Sequence, residues 1–211
     1  QHGDRRLAIM DADINAPQPV FTSIADNYQG KKFNSPNDCA RDMNGNFYMT
    51  DPPYGLPNQE NDTTRQTPWQ GVYKIDSNGK VSLLVDSITR PNGIALSPDN
   101  KFLYVANSDP AKAIWYRYQL GDSSVVAGSV FYDATADSKS GLPGLPDGFK
   151  VDGKGNLFAS GPGGVSIFNS SGKLLGRIKL DAPTSNTALS GDEKTLYITN
   201  DSLVLRVKLR P

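Results

Sequence analysis

The chain has 211 residues, 37% of them hydrophobic, with 22 basic and 22 acidic side chains. That is enough apolar sequence for one domain with a sizeable core, and zero formal net charge offers no electrostatic footprint for nucleic acid or an anionic membrane. No run reaches the apolar length of a membrane span, and no secretory signal is visible.

Residues 7–12 and 19–25 read as paired outer strands across a turn at Asn15-Ala16-Pro17. Two inner strands follow from Phe33, and then a long insertion, residues 51–68. Insertions of that length in compact domains are functional or mobile. Residues 71–75 and 81–85 flank Asp76-Ser77-Asn78-Gly79, whose Asn-Gly step is a hairpin signal. The next unit runs from Arg90 to about Asp133, with an alternating aromatic strand at 113–118. A Gly/Pro/Ser connection from Ser138 to Pro146 leads to a unit from Asp147 to about Leu180, and a last unit supplies strands at 195–199 and 203–209. No segment has helical periodicity and no linker divides the chain, so residues 1–211 are expected to form a single all-β domain.

One phrase recurs: Pro, then Asn or Asp, a short apolar strand, a Gly/Asn/Asp turn and a second strand. The copies begin at Ser35-Pro36-Asn37-Asp38, Arg90-Pro91-Asn92-Gly93 and Leu145-Pro146-Asp147-Gly148, with a fainter one at Thr184-Ser185-Asn186-Thr187. Asn37, Asn92 and Asp147 are spaced 55 apart, and Asn186 follows 39 later. A repeat of this length built from short strands suggests a β-propeller blade of four antiparallel strands. The repeated Asn or Asp would then sit at the same end of each innermost strand, and these side chains would converge on one mouth of the central channel. As a single copy, Asn or Asp before Gly is ordinary turn chemistry. The repetition at corresponding positions favours a site.

Other residues have plainer readings. Tyr54 is a lid residue over a pocket or a packed loop aromatic. His2, the lone histidine, reads as solvated, and no Ser/His/Asp arrangement can be built on it. Arg5-Arg6 and Lys31-Lys32 read as solvated strand edges, and Trp69 and Trp115 as packing anchors. Cys39, the single cysteine, excludes an intrachain disulfide and reads as a small buried side chain. Such sparing cysteine use fits a bacterial cytoplasm or periplasm.

The phrases Phe33-Asn34-Ser35-Pro36-Asn37-Asp38, Thr50-Asp51-Pro52-Pro53-Tyr54-Gly55, Arg90-Pro91-Asn92-Gly93 and Leu145-Pro146-Asp147-Gly148 together resemble the SMP-30/gluconolactonase/luciferin-regenerating family. His2-Gly3-Asp4-Arg5-Arg6 is similar to a His-Gly-Asn-Arg-Arg phrase of its bacterial gluconolactonase branch. The resemblance implies a six-bladed β-propeller, of which about four to five blades' worth of sequence is present. It also implies one divalent cation at the channel mouth, Ca²⁺ before Mg²⁺, Mn²⁺, Zn²⁺ or Fe²⁺. By motif, Asn92 and Asp147 match metal ligands, and Asn37 an Asn that contacts metal or substrate; Tyr54 and Asn186, from their places in the insertion and in the fourth copy, are candidate substrate-binding residues, with Asn186 either a wall residue or in direct contact. The implied activity is hydrolysis of a small-molecule sugar lactone, with the metal polarising the carbonyl and Asp147 acting as general base. The family's remaining ligand, a Glu, is expected upstream of Gln1. A non-catalytic metal-binding scaffold and a phosphotriesterase-like hydrolase are the alternatives, since propellers host many functions.

Overall fold

The computed structural model describes residues 1–122 and 124–209. It is an all-β chain in two compact units, Gln1–Ile88 and a second that begins at Thr89. No helix among the described residues is long and apolar enough to cross a membrane.

In the first unit, β1 (Leu7–Met10) pairs antiparallel with β2 (Phe21–Ala25), as the apolar runs there predict. A short hairpin follows, β3 (Asn27–Tyr28) with β4 (Lys31–Lys32). Then β5 (Cys39–Arg41), β6 (Phe47–Asp51), β7 (Gly71–Ile75) and β8 (Val81–Val85) make a four-stranded up-and-down sheet. Its core gathers Phe33, Met49, Tyr73 and Ile75, with Leu7, Ile24 and Tyr28 packed against them. The ring of Tyr73 lies 5.1 Å from that of Phe33 and 5.5 Å from that of Tyr28, the tilted contact that aromatic quadrupoles prefer.

The second unit repeats the plan. β9 (Pro91–Leu96), β10 (Phe102–Asp109), β11 (Lys112–Leu120) and β12 (Val125–Asp133) form one four-stranded sheet. β13 (Phe149–Val151), β14 (Leu157–Gly161), β15 (Gly164–Phe168) and β16 (Leu174–Lys179) form the next. β17 (Thr184–Leu189), β18 (Thr195–Asn200) and β19 (Leu203–Lys208) form a three-stranded sheet. Sheets with one face apolar must stack, and these do. Trp115, Phe131, Phe149, Leu157 and Phe168 fill the space between the first and second, while Phe158, Val165, Leu196 and Ile198 fill that between the second and third. Consecutive meander sheets stacked face to face, with β13 against both β9 and β17, are the blades of a β-propeller.

The turns explain why the strands stop where they do. Asp42, Asp76, Asp152 and Asn169 each open a five-residue turn. In each, the Oδ1 accepts N–H groups two and four residues on, at 2.7–3.1 Å. The fourth residue is Gly45, Gly79, Gly155 or Gly172, at φ between 83° and 87°, where a side chain would be strained.

Three expectations need correction. A helix, α1 (Thr135–Lys139), lies in the connection before Asp147; at 5 residues it is too short to show a period. Cys39 is exposed, because it shares a face of the short strand β5 with exposed Arg41. Trp69 is only half-buried and donates its indole N–H to the Tyr73 hydroxyl at 2.9 Å, so Trp115 alone is a deep anchor.

Candidate functional site

The lead-in to each inner strand carries the template residue, and in the second unit three of them are neighbours. Asn92, at the start of β9, is buried and donates from Nδ2 to the Ser108 hydroxyl at 2.9 Å. That hydroxyl in turn donates to the Pro146 carbonyl, immediately before Asp147. Ser108 therefore ties the Asn92 amide to the backbone that presents the Asp147 carboxylate. Gly93 makes the approach possible. A Cβ there would lie 2.2 Å from the Asp147 carbonyl oxygen. Gly148 does the same on the next strand, where a Cβ would lie 2.2 Å from Asn186 Cγ. The glycines after Asn92 and Asp147 thus let successive inner strands close up.

Asp147 is half-buried, with its N–H on the Ser160 carbonyl at 3.2 Å. Asn186 has its Oδ1 occupied by the Thr187 N–H at 2.8 Å, and the Lys150 ammonium stands 3.5 Å from the same oxygen. A lysine at that oxygen disfavours a cation there, so Asn186 fits the wall of a site better than a metal. Asn92 and Asp147 bring amide and carboxylate oxygens, the hard donors that Ca²⁺, Mg²⁺ or Mn²⁺ accept. No group of three or more His, Cys, Asp and Glu side chains that could hold a metal occurs among the described residues.

In the first unit, Asn37 is exposed, and its N–H donates to the Thr50 carbonyl at 2.9 Å. Tyr54 is half-buried in the insertion. The insertion is built as a scaffold. Asp62 accepts the N–H groups of Asn58 and Thr64, and Arg65 donates to the carbonyls of Glu60 at 2.7 Å and Thr67 at 3.3 Å. Arg5 donates from Nε to the Phe33 carbonyl at 2.6 Å and from a terminal nitrogen to the Thr64 carbonyl at 3.1 Å. It is a clamp rather than the solvated edge its sequence suggests. His2 is exposed at its tip but packs its base on Gly55, where a Cβ would come 2.6 Å from His2 Cβ, and burial lowers the imidazole pKa.

Sequence reasoning passed over a second repeated position. Asp51 falls fourteen residues after Asn37, Asn107 fifteen after Asn92, Gly161 fourteen after Asp147, and Asn200 fourteen after Asn186. The three polar members pin the lead-in of their own inner strand. Asn107 Oδ1 accepts the Arg90 N–H at 2.8 Å, and Asn200 Nδ2 donates to the carbonyls of Ala182 and Pro183 at 2.7 and 3.1 Å. Asp51 accepts the N–H groups of Asn34 and Ser35, each at 2.8 Å. Gly161 has the Trp115 ring where a side chain would be. The offset of fourteen or fifteen residues from the template was the available signal.

Stacked meander sheets with oxygen-bearing side chains at one end of neighbouring inner strands define a β-propeller framework. The chain belongs to the SMP-30/Gluconolactonase/LRE-like family, matching it over residues 4–202. It is 39% identical over 191 residues to a gluconolactonase of Zymomonas mobilis, a match covering 89% of this chain and 54% of that protein. It is 27% identical to a lactonohydrolase of Aspergillus oryzae, covering 82% of this chain and 43% of the relative. The solved structure of a gluconolactonase from Xanthomonas campestris superposes with a TM-score of 0.85 at 30% identity, over 100% of this chain and 67% of that one. The chain thus spans about half the length of these curated relatives.

Proposed function

We propose that the protein containing this chain hydrolyses sugar lactones. The observation that carries the reading is the link from Asn92 through Ser108 to the Pro146 carbonyl, next to Asp147, on adjacent inner strands, in a family whose relatives include a gluconolactonase and a lactonohydrolase. The donor types fit a hard divalent cation, which Asn92 and Asp147 would hold. When bound, such a cation supplies Lewis-acid stabilisation of the oxygen that gains charge at the lactone carbonyl.

The chain's own groups do the rest. The Asp147 carboxylate takes a proton from water as the water oxygen bonds to the carbonyl carbon. The ring C–O bond then breaks, and that proton passes to the leaving ring oxygen, yielding the open hydroxy acid. Asn186, with its amide held by Thr187 and Lys150, orients substrate hydroxyls.

The test is gluconolactone hydrolysis by the full-length protein, followed by pH-stat with and without chelator and on adding back Ca²⁺, Mn²⁺ or Zn²⁺. Turnover should fall with chelator and return with metal. Asp147→Asn should lower kcat by about 10²–10⁴-fold, the usual worth of a general base. Unchanged turnover in Asp147→Asn would remove its assigned role, and no lactone turnover with any metal would end the reading.

A further inference from the structure

Asp51 sits at the end of β6 with no exposed surface, yet takes no part in the chemistry above. Its Oδ2 accepts the Asn34 N–H and its Oδ1 the Ser35 N–H, both at 2.8 Å. Asn34 Nδ2 returns a bond to the Asp51 carbonyl at 3.2 Å, and Ser35 Oγ donates to the Pro52 carbonyl at 2.6 Å. The Ser35 oxygen also accepts the Gly55 N–H at 2.9 Å, beside Tyr54. One carboxylate therefore locks two strands of chain, the one leading to Asn37 and the one leading to Tyr54.

We infer that Asp51 is a positioning residue: its carboxyl group holds the Asn34–Ser35 lead-in and, through Ser35, the Pro52–Gly55 segment, and so fixes the backbone that carries Asn37 and Tyr54. The inference deepens the lactonase reading and rests on it for its kinetic consequence. The chemistry follows from donor count. Two backbone N–H groups need two acceptor oxygens, and an ionised carboxyl supplies both. A protonated carboxyl turns one oxygen into a donor facing a donor. The sibling blades do not have this need. Asn107 accepts the Arg90 N–H and donates to the Lys112 carbonyl at 2.8 Å, and Asn200 donates to carbonyls. An amide suits a mixed set, and Asp51 is the one carboxylate among these four positions.

The charged groups acting on it are Arg5 from the N-terminal segment, Arg65 from the insertion and, weakly, the Tyr73 hydroxyl of β7. Burial pushes the Asp51 carboxyl up to about 7, against the two N–H bonds and the two arginines, which hold it down.

The test is amide hydrogen exchange on the full-length protein, with steady-state kinetics in parallel. Expected in the wild type is protection of Asn34 and Ser35, after correction for intrinsic exchange, comparable with that of the β7 amides. Asp51→Asn should be deprotected at the same two amides at every pH, and Asp51→Ala more so. With gluconolactone, Asp51→Ala should lose kcat/KM by about tenfold or more, partly restored in Asp51→Asn. If Asp51→Ala does not fold, Asp51→Asn decides. Unchanged protection of Asn34 and Ser35 in Asp51→Asn overturns the inference. If the wild type turns over no lactone, the activity reading fails, and the exchange data still decide whether the lock exists.

Discussion

Gly93→Ala tests whether the close approach of β9 and β13 is what places Asn92 beside Asp147. The added methyl carbon would stand 2.2 Å from the Asp147 carbonyl oxygen, 2.8 Å from its carbonyl carbon and 3.0 Å from Gly148 Cα. All three are backbone atoms, so no side chain can swing away. Close carbon–oxygen contacts settle at about 3.3 Å, so the strands must part by about 1 Å at this point. A displacement of that size at reacting groups costs about 100-fold in rate, or ~2.7 kcal/mol of transition-state stabilisation. Overpacking of this kind also destabilises by about 1–3 kcal/mol. The assay is kcat/KM for gluconolactone together with a urea melt. Gly176→Ala is the control, since a Cβ there has nothing within 4 Å, and both its rate and its stability should stay near wild type. Wild-type rate and stability in Gly93→Ala would refute the argument that glycine is required at this contact.

Three further outcomes are expected. The Asp51 carboxyl sits at about 7 folded against 3.8 unfolded, so the folded chain binds an extra proton between those values and stability falls as pH rises through that window. The whole change is about 4 kcal/mol at about 1.36 kcal/mol per pH unit, and Asp51→Asn should flatten the slope of urea midpoints between pH 4 and 7; equal slopes in both proteins would contradict it. Trp115, fully buried and 5.6 Å from the Phe168 ring, should cost about 3–5 kcal/mol when cut to Ala, read by chemical denaturation, and a loss below about 1 kcal/mol would mean the core is misassigned. Cys39, being exposed, should take one alkyl group per native chain without denaturant, as counted by intact mass; protection until unfolding would return it to the interior.

Several features were legible in the residues alone. The recurring Pro-Asn/Asp phrase located the inner strands, and the Asp- or Asn-led turns ending in Gly located the hairpins, because both depend on local backbone preference. The chain's paired and meandering strands followed, as did membership of a propeller family. Local sequence could not show that Asn92 is tied through Ser108 to the Pro146 carbonyl beside Asp147, since those residues lie far apart in the chain and meet only when neighbouring sheets stack. Nor could it show that Arg5 clamps the insertion, that Cys39 faces outward, or that Asp51 is a buried lock while Gly161 makes room for an indole. Those depend on which face of a strand another sheet covers. Alternation marks two faces as different, but only the neighbour that arrives decides which polar groups lose water and must find a partner.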